Sequence, residues 1–472
     1  YAIDKLTYEG TYDQITTESY LGELHFLRGW VYFQMVKRYG GVPLIDRVQS
    51  LDEPADSLYV PRSSETEIYD FIAEECDKAE TLLDGKTLAY GRATKWVALG
   101  LKSRAMMYAG SIGEFGVMQL DGLLGINNAD KYWQLSYDAS KKIIDNGPFQ
   151  LYDVDADPEK NFYNLFTSAE KNTETIFAEV FNGVGSKAEN YSRWCPPQAL
   201  NGLSYCPVYL ESFEMYEYID GTSGKLNRAN LVRGFFYNLS DFIGRKDPRC
   251  RASIFLPESK YATSTIYLHE GTYQGGTSDA NFITAGTIGP NAWPAKGPGS
   301  DPLRTGMYSK KRCNEKNLVN GEMGKGSTDF MVIRLGEIYL NYAEAAFALE
   351  KNTEALQYLN RVRRRADMPD KATIDWDIIR NERAVELMFE GHRFWDLRRW
   401  RIADVKLASA TTTFTGVRWR KNYDTGQYEV ISTTTGSATD PWPRIFRSHF
   451  VYTPIGKSRT DANKVLVENP GY

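Results

Sequence analysis

No stretch of the 472 residues approaches 18 consecutive apolar residues, so no segment is suited to crossing a bilayer as a helix. Cysteine is scarce. The five present (Cys76, Cys195, Cys206, Cys250, Cys313) form no CxxC pair and no spacing suited to structural zinc, and so low and odd a count is not a disulfide scaffold. Cys195 and Cys206 flank a turn-rich segment and could pair; free thiols are the reading taken. Histidine is scarcer still. None of His25, His269, His392 and His449 lies in HExxH, which excludes a zincin, and no G-x-S-x-G elbow is present. Neither sign of charge dominates: 56 Lys+Arg against 61 Asp+Glu leave a net charge of −5, which excludes the basic footprint of a nucleic-acid binder. The sequence starts Tyr1-Ala2-Ile3-Asp4, without initiator Met, basic n-region or apolar h-region. The natural start is therefore expected to have been processed or cut, and targeting must be argued from elsewhere.

Glycine-rich segments do not supply a phosphate loop. The run from Gly321 to Gly326 has the wrong outer spacing, with Gly after its Lys, and Gly183-Val184-Gly185 lacks a third glycine; both read as turns. Asp153-x-Asp155-x-Asp157 is similar to the start of a calcium loop, but Pro158 and Asn164 occupy its glycine and final glutamate positions. No metal, cofactor or catalytic residue is expected.

Aromatics are abundant at 13%, and Tyr (31) leads Phe (22) and Trp (10). A buried phenol needs a partner, so this preference first suggests a polar-edged binding surface. Helices are expected over about 17–39 (with Leu24, Leu27, Val31 and Met35 as the apolar stripe), from a Ser64 cap to Leu83, over 93–110, 131–146 and 328–349, from Asn352 onward, and over 375–390 with a short one through Trp400. The segment 148–327 is different, with short β-type runs such as Ile176–Phe181, many glycines, and aromatics between turns. The reading is one domain over 1–472: an N-terminal helical scaffold (14–147), a loop-rich, partly β insertion (148–327), helices over 328–404 resembling tetratricopeptide units, and C-terminal loops (405–472).

Five separated stretches together resemble the SusD/RagB family. They are Phe26-Leu27-Arg28-Gly29-Trp30 leading into Tyr39-Gly40-Gly41-Val42-Pro43; Lys246-Asp247-Pro248-Arg249; Ile333-Arg334-Leu335-Gly336-Glu337 continuing to Arg365-Ala366; Glu382-Arg383-Ala384-Val385-Glu386 through Glu390-Gly391-His392 to Trp400; and Pro454-Ile455 with terminal Asn469-Pro470-Gly471-Tyr472. The resemblance implies a mainly α SusD-like fold on four tetratricopeptide-like helix pairs, with a ligand site on a loop-rich face. It also implies an outer-membrane, cell-surface lipoprotein that captures oligosaccharides, or peptides in the RagB branch. Its implied partner is a SusC-like TonB-dependent transporter, over which it acts as a lid. The lipid anchor is inferred, since no signal or acylated Cys precedes Tyr1 in this sequence.

Glu382, Glu386 and Glu390 recur at i, i+4 and i+8 on one helical face. Such a stack could serve acid–base chemistry; the reading taken is a structural network with Arg361, Arg363, Arg364 and Arg365. A sugar offers a C–H face to an aromatic ring and hydroxyls to planar polar groups. The loop residues with that mix are Tyr191, Arg193 and Trp194, then Tyr273 and Gln274, then Asn291 and Trp293. Oligosaccharide capture leads; peptide capture and glycan cleavage are the alternatives.

Overall fold

The computed structural model describes residues 2–6, 12–50, 52–168, 172–197, 200, 202–284, 305–319, 325–407, 414–434 and 445–472. Helix α1 (Gln14–Tyr39) starts at Asp13, whose carboxylate accepts from the Thr16 amide at 2.7 Å. Helix α2 (Glu65–Leu82) starts with a full capping box between Ser64 and Glu67. Next come α3 (Lys95–Phe115) and α4 (Ala129–Asn146), the latter capped by Asn128. α1 packs on α2, α2 on α3, and α3 on α4. Helix α3 runs past the expected end because its glycines are packing sites: a Cβ at Gly110 would stand 2.5 Å from the Trp133 ring.

The buried face of α1 is not the expected stripe. Phe26, Gly29, Tyr32, Phe33 and Val36 face the core, while Leu27 and Val31 are 51% and 52% exposed. Both faces of this helix carry apolar residues, and the large rings together with Gly29 against α2 decide which turns inward.

Helix α5 (Pro158–Thr167) is capped by Asp157, and Asp155 pairs with Lys160. Strand β1 (Thr175–Glu179) overlaps the expected β run, starting one residue earlier and ending two residues sooner. After the one-turn α6 (Tyr191–Trp194) come β2 (Phe236–Tyr237), α7 (Pro248–Ser253), β3 (Ile254–Phe255), β4 (His269–Tyr273), β5 (Phe282–Thr284) and β6 (Tyr308–Ser309). Strand β7 (Phe330–Arg334) occupies the start of the expected 328–349 helix and pairs antiparallel with β1. Its Phe-Met-Val-Ile run suits a strand, and α8 (Leu335–Ala348) begins directly after it. The C-terminal helices are α9 (Asn352–Arg365), α10 (Trp376–Glu386) and α11 (Arg393–Arg399). α8 packs on α9 and reaches back to α3 and α4, while α10 packs on α8 and α9. The hairpin of β8 (Thr415–Asn422) and β9 (Tyr428–Thr434) completes a five-stranded sheet of order β2-β9-β8-β4-β5.

Two large cores result: one among α1–α4 and α8, the other between the loop segments and the five-stranded sheet. Much of the tyrosine excess lies inside them, with phenols tying elements together. Tyr132 donates to Asp70 at 2.8 Å, Tyr452 to Glu65 at 2.6 Å, and Tyr428 to Glu258 at 2.9 Å. The chain's ends are clasped. Arg62 donates to the Tyr39 and Gly41 carbonyls and to Asn469 Oδ1, and Asn469 Nδ2 donates to the Tyr39 and Thr453 carbonyls. Gly41 is needed there, because a Cβ would lie 2.2 Å from the Ser63 carbonyl oxygen.

Candidate functional site

The densest charge cluster is buried. Arg249 of the Lys246–Arg249 turn donates to Glu382 at 2.6 Å and Glu386 at 2.9 Å. Arg334 reaches Glu174 at 2.6 Å, Glu386 at 2.7 Å and Glu390 at 2.7 Å; Lys311 also bonds Glu390 at 2.7 Å. Arg363 pairs with Glu382, and Arg365 with Glu174 and Glu386. The expectation of Arg361 and Arg364 as partners needs correction: Arg364 pairs with exposed Asp370, and Arg361 lies over the Tyr358 ring at 4.5 Å. These two point outward from α9, while Arg363 and Arg365 point inward.

Burial alone would raise these carboxyls, but the guanidiniums reverse it. Glu386 is held well below the ordinary range by Arg365, Arg334 and Arg249, and Glu390 is held at about 2 by Arg334 and Lys311. Glu382, Glu386 and Glu390 are thus ionised acceptors held by cations and offer no proton donor for general acid catalysis. His392 is lowered to about 4, chiefly by burial, and is neutral at physiological pH.

The 189–206 segment is built differently. Buried Glu189 accepts from the Tyr191 amide at 2.6 Å, the Ser192 hydroxyl at 2.7 Å and Asn317 Nδ2 at 2.9 Å, fixing the start of α6 to the 314–317 segment. Tyr191 is half-buried with the Arg312 guanidinium 4.6 Å from its ring centroid, so it supports the loop from beneath. Arg193 and Trp194 are exposed, Trp194 by 47%. The chain then doubles back, with the Leu203 amide donating to the Arg193 carbonyl at 2.9 Å and the Tyr205 amide to the Trp194 carbonyl at 2.8 Å. This return places Tyr205, 64% exposed, across from Trp194. Two exposed rings on a backbone-pinned turn, with Arg193 adjoining, can stack on an apolar ligand face and bond its polar rim. Tyr205 is not among the residues expected from the sequence; the hydrogen bond of its amide to the Trp194 carbonyl sets it opposite that residue.

Tyr273 and Gln274 lie at the five-stranded sheet and not in this loop. Tyr273 is buried at 1% exposure in β4, donating to Glu429 at 3.0 Å with its ring against Phe236 and Phe282, so it is a sheet residue and not a ligand contact. The rings of Phe236 and Phe282 and the paired strands β8 and β5 cover it despite the neighbouring glycines. Gln274, at the end of β4, is half-buried, with its backbone amide donating to the Asn281 carbonyl. Asn291 and Trp293 lie outside the described residues. The sulfurs of Cys195 and Cys206 face each other. A cleft of about 560 Å³ lined by Arg28, Asp46, Glu67, Asp70, Phe71 and Glu74 also exists, but Arg28 covers the Phe71 ring, leaving no free aromatic platform.

Fold and site define a class: a mainly helical scaffold, locked by buried ion pairs, that presents exposed aromatic loops. The chain belongs to the SusD family, whose profile matches residues 173–472; a second profile, "Starch-binding associating with outer membrane", matches residues 2–107. It is 24% identical over 84% of its length to the SusD-like protein P38 of Formosa agariphila, of which it covers 69%. It is 23% identical over 80% of its length to the starch-binding protein SusD of Bacteroides thetaiotaomicron, of which it covers 63%. A SusD-like protein of Bacteroides fragilis has a similar structure, with a TM-score of 0.73 at 25% identity over 98% of this chain and 81% of that one.

Proposed function

We propose that this chain is a non-catalytic glycan-binding protein of the outer-membrane surface, which holds an oligosaccharide on the Trp194–Tyr205 loop. It then delivers the sugar to a SusC-like TonB-dependent transporter, over which it closes as a lid, itself tethered by an N-terminal lipid anchor. The observation that carries the reading is the pair of exposed rings fixed by backbone hydrogen bonds, on a chain of a family with a starch-binding relative. The buried carboxylates of Glu382, Glu386 and Glu390, held ionised by their cations, favour binding over cleavage. Capture needs only modest affinity if closure over the barrel retains the ligand.

Calorimetric titration with a panel of neutral oligosaccharides tests this. Micromolar to millimolar binding by the wild type, with no product after prolonged incubation, is the expected result. Retention of peptides with no glycan affinity would move the assignment to peptide uptake, and released product would make the protein an enzyme.

A further inference from the structure

The Trp194–Tyr205 turn carries a second chemistry. Cys195 and Cys206 directly follow the two exposed rings, and their sulfurs lie 2.6 Å apart, closer than two unbonded sulfurs pack. The surrounding backbone is already paired, Leu203 to Arg193, Tyr205 to Trp194 and Ser204 to Pro196. The third thiol of this region, Cys313, also lies against Cys195 and points toward the Ser309 and Tyr191 carbonyls, at 3.6 and 4.0 Å. Cys76 is buried in the helical core, whereas Cys250 lies in the same core as Cys195 and Cys313. We propose that Cys195 and Cys206 are a covalent cross-linking site, oxidised to a disulfide that staples the base of the Trp194–Tyr205 platform. The staple stands on this geometry; its effect on ligand affinity rests on the function proposed above.

The step balances with an external disulfide as oxidant. Cys206, the less buried of the two, attacks it through its thiolate, forming a mixed disulfide and releasing one thiol of the oxidant. Cys195 then attacks the Cys206 sulfur, forming the Cys195–Cys206 bond and releasing the second thiol. The two protons lost by the cysteines end on the released thiols. Burial holds the Cys195 thiol well above its ordinary range, and the contact with Cys195, then burial, does the same for Cys206. Neither forms a thiolate readily once the loop has packed, so exchange belongs to the folding chain, and the finished bond is shielded from reductant.

The consequence is preorganisation. Trp194 and Tyr205 sit on opposite strands of the turn, and a bond immediately beyond both prevents the strands from separating. The test uses the whole chain refolded with oxidised glutathione, then alkylated under denaturing conditions, digested without reductant and read by mass spectrometry. Cys76, Cys250 and Cys313 are expected to be alkylated, with Cys195 and Cys206 recovered in one cross-linked species that reduction resolves. The oxidised protein should melt about 3 °C above its reduced form. Cys206→Ser should bind a xylogluco-oligosaccharide about fivefold more weakly than the oxidised wild type.

Alkylation of both Cys195 and Cys206 after oxidation, or a cross-link that includes Cys313, overturns the proposal. A Cys195–Cys206 bond with unchanged melting and affinity overturns its role in holding the platform. If the wild type binds no oligosaccharide, the function proposed above fails, while the alkylation pattern and melting shift still decide the staple.

Discussion

The glutamate face of α10 and the Trp194–Tyr205 turn stand at opposite extremes. The first concentrates charge: Arg249, Arg334, Arg363, Arg365 and Lys311 converge on Glu174, Glu382, Glu386 and Glu390, all of them nearly inaccessible. The second has one cation and two rings, about half open to solvent. Chemical richness therefore marks the scaffold, and exposure marks the proposed site. A buried carboxylate with both oxygens engaged by cations has little left to offer a ligand, whereas an exposed ring on a backbone-pinned turn is free to meet one.

Substitutions that separate stability from binding would break or sharpen this contrast. The largest effect is expected from Glu386→Ala, which leaves Arg365, Arg334 and Arg249 facing a void. A stability loss of about 3–5 kcal/mol is predicted, read by denaturant unfolding. A related effect is expected with acid. Glu390 and Asp396 are held at about 2 in the folded state, below their ordinary unfolded values, so their stabilisation is complete above those values and disappears as the pH falls through about 2. The melting temperature should be highest near neutral pH, start to fall below about pH 6.5 as buried neutral His392 resists protonation, and drop steeply between about pH 4.5 and 2.

On the other side of the contrast, Trp194→Ala should weaken oligosaccharide binding about tenfold, ~1.4 kcal/mol, with an unchanged melting temperature. Tyr273→Phe should do the reverse: it removes the hydroxyl bonded to Glu429, costing about 1 kcal/mol of stability and leaving affinity intact. The smallest effect belongs to Leu27→Ala on the outer face of α1, within about 0.5 kcal/mol of the wild type in unfolding. A loss of several kcal/mol there would mean that the expected inward stripe was right after all.

Helix positions were legible where local signals act, as with the Ser64–Glu67 capping box or the Gly147-Pro148 stop after α4. The face of α1 was not, because apolar residues lie on both sides and the choice depends on partners distant in sequence. Strand β7 was missed because the periodicity of α8 extends backward by chance across Phe330–Arg334, and only pairing with Thr175–Glu179 makes it a strand. The motifs at residues 246–249, 333–337 and 382–390 were readable individually; their convergence into one ion network is a tertiary fact. The site was half legible for the same reason. Trp194 and Arg193 could be chosen by residue type, but Tyr273 has the same composition-level signature and is buried beneath Phe236 and Phe282, and Tyr205 joins Trp194 only through the return of the chain.

The most direct test of the central claim is a calorimetric titration of one bound oligosaccharide into wild type, Trp194→Ala and Tyr273→Phe in parallel. Affinity lost about tenfold in Trp194→Ala and retained in Tyr273→Phe is the predicted result. Equal affinities in all three, or a loss confined to Tyr273→Phe, would contradict the assignment of the binding face to the Trp194–Tyr205 turn.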